Sequence, residues 1–203
     1  MKKIGFALSF LALSVLTIIL SCNKQQANNS ENQADSSNVN LGGFKTQEQF
    51  GEHLVLIAGC HDCHTPKKMT PQGPEMDFSL ALSGHPAQLP APDVNRKEMQ
   101  SKGYAVTQTL TAWTGPWGVS FAANLTPDAT GLGNWEESNF MTVLRKGKHK
   151  GIETERSLLP PMPWQMYKNM TDGEIKAVFA YLKSIKPIKN VVPQPLPPVA
   201  ATP

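Results

Sequence analysis

Aromatic side chains make up only 7% of the 203 residues, against 17 prolines. A core built from so few rings is thin for a domain of this length unless something large and apolar adds volume. Charge of one sign is also scarce: the formal net charge is +3, and Lys2 and Lys3 supply two of those cations. The remainder is close to neutral, which gives no ground for a nucleic-acid partner. Cysteine occurs three times, too few for a disulfide scaffold or for a zinc site made of two cysteine pairs. No internal repeat is present, so a solenoid is excluded. What is left is one small globular domain with appended segments.

The N-terminus reads as an address. Lys2 and Lys3 precede an apolar run from Ile4 to Leu20 that is short for a membrane span and ends at Ser21-Cys22. Residues 1–21 are therefore expected to be a secretory signal. Ile19-Leu20-Ser21-Cys22 is similar to the bacterial lipobox, which makes Cys22 the expected lipidation site and places the protein at the cell envelope, exported and membrane-anchored on the periplasmic side. More than one acyl chain gives the durable attachment that one alone does not.

Residues 22–43 are rich in Asn, Gln, Ser and Ala, with almost nothing apolar to repay ordering, so they are expected to form a flexible tether with a reach of roughly 25 Å. At the other end, proline crowds residues 190–203, expected to be a disordered tail. The folded domain then runs over 44–189. Within it three helices are legible. Thr46 and Gln49 have capping-box spacing before Phe50, Leu54 and Ile57. A second helix starts near Asn134, carries Phe140, Val143 and Leu144 on one face, and stops at Gly147. Thr171 and Glu174 open a third, with Ile175, Val178, Phe179 and Leu182 at helical spacing and Pro187 beyond its end. Residues 65–123, rich in Pro and Gly, suggest little regular structure, and long loops of this kind are usually functional or disordered.

The chemistry lies in Cys60-His61-Asp62-Cys63-His64. Two thiols separated by two residues match the two vinyl groups of a haem, and the next residue offers an imidazole to its iron. Cys60 and Cys63 are thus expected to carry one haem c through thioethers, with His64 as proximal ligand. The buried porphyrin would also supply the volume that the aromatics do not. A zinc knuckle needs a second ligand pair, and a thioredoxin-like dithiol needs a strand–helix–strand setting. With Cys22 acylated, no thiol is left over.

A low-spin electron carrier needs a sixth ligand, and a thioether raises the potential of a His-ligated haem. Met162 is the candidate, because Leu158-Leu159-Pro160-Pro161-Met162-Pro163-Trp164 is stiffened by prolines on both sides. The competing possibility is a haem enzyme or sensor whose sixth position is open or weakly held by His149, His85 or His53.

Beyond these motifs, residues 44–189 resemble the class I cytochrome c family, and the second half is similar to the monohaem cytochrome c domains that accompany bacterial dehydrogenases. The resemblance rests on Asn124-Leu125-Thr126-Pro127-Asp128, Thr130-Gly131-Leu132-Gly133, Trp135, Phe140, Leu144-Arg145-Lys146-Gly147, Pro161-Met162-Pro163, Tyr167, Met170-Thr171-Asp172 and Ala180-Tyr181-Leu182-Lys183-Ser184. It implies an all-α fold around one covalent haem, an axial methionine in the proline-flanked loop, and a last helix that crosses the first. It also implies an electron carrier rather than an enzyme, with a dehydrogenase or terminal oxidase as redox partner. The segment 65–123 is longer than a minimal member needs and forms an irregular insertion. Arg145, Lys146, Lys148 and Lys150, four cations in six residues, are the candidate docking surface for an acidic partner.

Overall fold

A computed structural model describes residues 41–200; the signal segment, Cys22 and nearly all of the tether lie outside the described residues. The chain runs through α1 (Gln47–Ile57), α2 (Cys60–His64), strands β1 (Lys67–Thr70) and β2 (Gly73–Met76), a 3-10 turn (Phe78–Leu80) and α3 (Arg96–Lys102). It continues with β3 (Val106–Thr107), β4 (Ala112–Gly115), β5 (Gly118–Phe121), α4 (Glu137–Lys146), a 3-10 turn (His149–Gly151), α5 (Trp164–Tyr167) and α6 (Asp172–Ser184).

Helices α1, α4 and α6 make the core. Phe50, Leu54 and Val55 of α1, Phe140, Val143 and Leu144 of α4, and Ile175, Val178 and Leu182 of α6 are buried together. Leu41 and Phe44 pack on this cluster, so the folded unit begins slightly before residue 44. The crossing of α1 and α6 is close enough that a Cβ on Gly51 would stand 1.9 Å from the Ala177 carbonyl oxygen. Glycine is therefore the residue that lets the two backbones touch.

Local signals explain the helix ends. Thr46 Oγ1 accepts the Gln49 amide at 3.2 Å, and the Gln49 side chain reaches the Lys45 amide rather than its own cap. On α6 the box is reciprocal: Thr171 Oγ1 accepts from the Glu174 amide, and Glu174 Oε2 accepts from the Thr171 amide at 2.6 Å. Two expectations shift. The second helix begins at Glu137, because Glu136 caps it and Asn139 returns the bond. Ile57 is exposed and Val55 takes its place inside, since the buried stripe of α1 runs through Phe50, Gly51, Leu54 and Val55.

Two further corrections concern the segments expected to lack order. The 65–123 stretch folds into small sheets, so the architecture is helical with added β structure rather than all-α. β1 and β2 form an antiparallel hairpin, and β3, β4 and β5 form an antiparallel three-stranded sheet in that order. The four- and two-residue strands are too short to show alternation in the sequence. Residues 190–200 are not a loose tail either. Val119 and Leu196 exchange both backbone hydrogen bonds at 2.9 and 3.0 Å, and Asn190 Nδ2 donates to the carbonyls of Ser83 and His85. Proline removes donors but leaves every carbonyl available, and seven of the eleven residues from 190 to 200 keep an amide, of which Asn190, Leu196 and Val199 each donate a hydrogen bond to the domain. Gly118 completes the fit: a Cβ at its φ of +100° would lie 2.1 Å from the Leu196 oxygen.

Candidate haem-attachment site

Gly59 separates α1 from α2. Its φ of +68° is left-handed, which a side chain opposes, and it lets the chain stop one helix and begin the next within two residues. The Cys-His-Asp-Cys-His segment follows as a single helical turn closed by the Thr65 amide on the His61 carbonyl. Tyr167 of α5 donates its hydroxyl to the Ala58 carbonyl at 2.7 Å, tying this corner to the far half of the domain.

The two imidazoles of the motif have different fates. His61 is turned inward, with Nδ1 2.8 Å from Thr65 Oγ1 and its ring against Phe78. His64, also buried, has Nδ1 2.8 Å from the Ala123 carbonyl oxygen. A carbonyl can only accept, so Nδ1 carries the proton and Nε2 holds the lone pair. Burial lowers the His64 pKa, which keeps the ring neutral. Its position depends on Gly84, whose Cβ would lie 2.5 Å from the Ala123 carbonyl carbon; glycine there lets the 82–85 segment run beside Ala122 and Ala123.

Cys60 and Cys63 are free and half-buried, with no disulfide between them. Burial pushes the Cys60 thiol up to about 12 and raises Cys63 as well, so neither has the thiolate character of a redox-active dithiol. Among the described residues no group of three or more His, Cys, Asp and Glu side chains gathers to hold a metal ion unaided. Beside Cys63 opens a cleft of about 560 Å³, within the usual size of a small-molecule site, whose walls include Met76, Leu110, Trp113 and Pro161 with Lys67 at its edge. Lys67 Nζ donates to the carbonyls of Asp62 and Thr65, closing the end of α2. The donor set and the apolar cleft fit a covalently held haem: two unpaired thiols on one turn, one imidazole with fixed tautomer, and a cavity beside Cys63.

Met162 is half-buried and packs against the core, and its neighbour Pro161 lines the cleft beside Cys63. The structure thus brings the proline loop and the Cys-His-Asp-Cys-His turn to the same cavity. The alternative distal histidines are elsewhere engaged. His85 has Nδ1 2.9 Å from Thr111 Oγ1 and Nε2 3.1 Å from the Leu89 carbonyl, leaving neither nitrogen for a metal. His53 stacks on Phe44 on the exposed side of α1, and His149 faces Glu155 at 3.5 Å. The basic cluster is partly neutralised: Arg145 pairs with Asp172 at 2.5 Å and Lys146 with Glu153. Lys148 donates to the Glu155 carbonyl, and Lys150 is exposed.

Sequence reasoning did not find the Ala123 carbonyl, a backbone group with no residue-type signal.

No protein-family model matches the chain, but cytochrome subunits of several bacterial dehydrogenases are similar to it. The chain is 28% identical over 147 residues to the fructose dehydrogenase cytochrome subunit of Gluconobacter japonicus, covering 71% of this chain. It is 33% identical over 140 residues to the cytochrome c subunit of the quinone alcohol dehydrogenase of Gluconobacter oxydans, covering 68% of this chain. It is 32% identical over 88 residues to the gluconate 2-dehydrogenase cytochrome c subunit of Pantoea cypripedii, covering 40% of this chain. The chain is a homologue of the cytochrome c subunits of bacterial dehydrogenases. It spans about a fifth of the length of each of these relatives, which are covered to 22%, 21% and 19%. The motifs that carried the resemblance also have local physical work in this cytochrome relative. Asn124 Oδ1 accepts from the Thr126 amide and hydroxyl while its Nδ2 donates to the Ile188 carbonyl at 2.8 Å, and Asp128 Oδ1 accepts from the Thr130 amide. These turns bind the loop before α4 to the segment after α6.

Proposed function

We propose that the protein is an electron-transfer cytochrome of the class I type, with one haem c held by thioethers from Cys60 and Cys63, His64 as proximal iron ligand and Met162 as distal ligand. The observation that carries this reading is the His64 Nδ1 bond to the Ala123 carbonyl, in a turn that also holds two unpaired cysteines, one of which, Cys63, lines an apolar cleft. A bond of this kind fixes ring orientation and raises the basicity of the other nitrogen, as in most metal-ligating histidines. When bound, the haem supplies a one-electron couple.

The protein's own residues then set the conditions for that couple. His64 presents Nε2 in one tautomer and one orientation, so little rearrangement accompanies a change of iron charge. Met162 offers a soft thioether, which favours the reduced state and raises the potential. Leu110, Trp113, Met76 and Pro161 give the cleft a largely apolar lining, the kind of surrounding that tunes a redox potential. No side chain is assigned a role in transforming a substrate, and the protein acts as a carrier or as the cytochrome part of a larger oxidoreductase.

The partner is a redox protein, a dehydrogenase or terminal oxidase, met at the cell envelope, with the exported chain held to the membrane through lipid on Cys22. Because Arg145 and Lys146 are ion-paired, docking of an acidic partner falls chiefly to Lys148 and Lys150. The optical spectrum tests ligation: the oxidised protein should show the methionine–iron band near the red edge, and Met162→Ala should lose it while retaining haem. A parent spectrum without that band, or a variant spectrum identical to the parent's, would transfer the distal role to another residue or leave that position open.

A further inference from the structure

The insertion's three-stranded sheet touches the methionine loop at one point. Ser120, on β5 and 6% exposed, donates its hydroxyl to the Pro160 carbonyl at 2.6 Å, two residues before Met162. The Ser120 hydroxyl oxygen in turn accepts the Trp117 indole N–H at 3.1 Å. Trp117 sits at the tip of the β4–β5 hairpin and folds back over Gly115, where a Cβ would lie 2.5 Å from its ring, so its N–H is aimed by the hairpin itself. The Pro160 carbonyl has few competing donors nearby: residues 160, 161 and 163 are prolines with no N–H. Chained hydrogen bonds polarise one another, so the indole N–H strengthens the serine's grip on the carbonyl.

We infer that Ser120, oriented by Trp117, is a positioning residue for Met162: the insertion anchors the loop that would present the thioether to the haem iron. This rests on the reading of Met162 as distal ligand. It gives the β3–β5 sheet a role that the helices alone do not supply. Ser120 does not touch the ligand sulfur; it acts through the carbonyl two residues away.

The test is competition by exogenous imidazole for the distal position of the oxidised holoprotein, followed by loss of the methionine band. Removing the hydroxyl in Ser120→Ala should make imidazole bind about tenfold more tightly, equivalent to about 1.4 kcal/mol at 25 °C. Ser120→Thr, which keeps the hydroxyl, should restore the parent affinity. Trp117→Phe should fall between parent and Ser120→Ala. Two controls separate the possibilities. Met162→Ala reports on the ligand itself: if it binds imidazole no better than the parent, the ligand reading fails and the positioning role falls with it. If Met162→Ala binds imidazole far more tightly but Ser120→Ala matches the parent, the ligand stands and the positioning role is overturned. Asn95→Ala, which uncaps α3 elsewhere in the insertion, should leave imidazole affinity unchanged; an equal rise there would assign the effect to general loosening and overturn the inference.

Discussion

Replacing Gly51 with alanine probes the contact on which the helical core depends. An added Cβ would lie 1.9 Å from the Ala177 carbonyl oxygen, 2.6 Å from its carbon and 2.8 Å from Tyr181 Cβ. Two of these three are backbone atoms of α6, so no flexible side chain can swing aside. Relief requires α1 and α6 to part, which loosens Phe50, Leu54 and Val55 against Ile175, Val178 and Leu182. Overpacking of this sort costs about 1–3 kcal/mol, and here the upper part of that range applies because backbone must move. Alanine's better helix propensity returns up to about 1 kcal/mol. The net expectation is a loss of about 2 kcal/mol, which for a domain of this size lowers Tm by roughly 4–8 °C. Thermal unfolding of the holoprotein followed by far-UV circular dichroism measures it. A Tm equal to or above the parent's would mean that propensity dominates and that the two helices do not meet at Gly51.

Three further outcomes are expected. Burial lowers the pKa of His61, His85 and His149, so the unfolded chain binds protons more readily than the native one. Stability should therefore fall as pH drops below about 6.5, and the decline in urea midpoints between pH 7 and pH 5 should be shallower in His85→Gln; an identical slope would clear His85 of any part in it. Asn190→Ala strips the donors from the Ser83 and His85 carbonyls and should speed hydrogen exchange at the Val119 and Leu196 amides, whereas unaltered exchange would show that the Asn190 side chain does not hold the C-terminal strap. Lys148→Glu with Lys150→Glu should slow electron transfer to the physiological partner at low salt, with the difference vanishing as salt screens it; equal rates at every ionic strength would place docking on another face.

The sequence displayed the site more fully than the scaffold around it. Cys60, Cys63 and His64 fall within five consecutive residues, so the candidate motif was legible without coordinates. Thr171 and Glu174 were equally plain, because capping is a local transaction. Ile57 was misplaced because a final-turn residue satisfies helical spacing whether or not a neighbour covers it. The sheets escaped notice since Val106–Thr107 and Gly118–Phe121 owe their form to tertiary pairing, and Leu196 pairs across a gap of 77 positions with Val119. Proline-rich composition signalled absence of regular structure at residues 190–200, yet carbonyls, the amides of Asn190, Leu196 and Val199 and the Asn190 side chain suffice to fasten such a strap. The Ala123 carbonyl was invisible for a simpler reason: any residue could have supplied it.

Covalent attachment of haem at Cys60 and Cys63 is the claim on which the remainder rests, and intact mass after denaturation in acid acetone tests it most directly. The protein expressed with haem-attachment machinery should retain the mass of one haem per chain, and the Cys60→Ala, Cys63→Ala double variant should retain none. A parent chain that gives up its haem to acid acetone, or a double variant that still carries one covalently, would contradict the account.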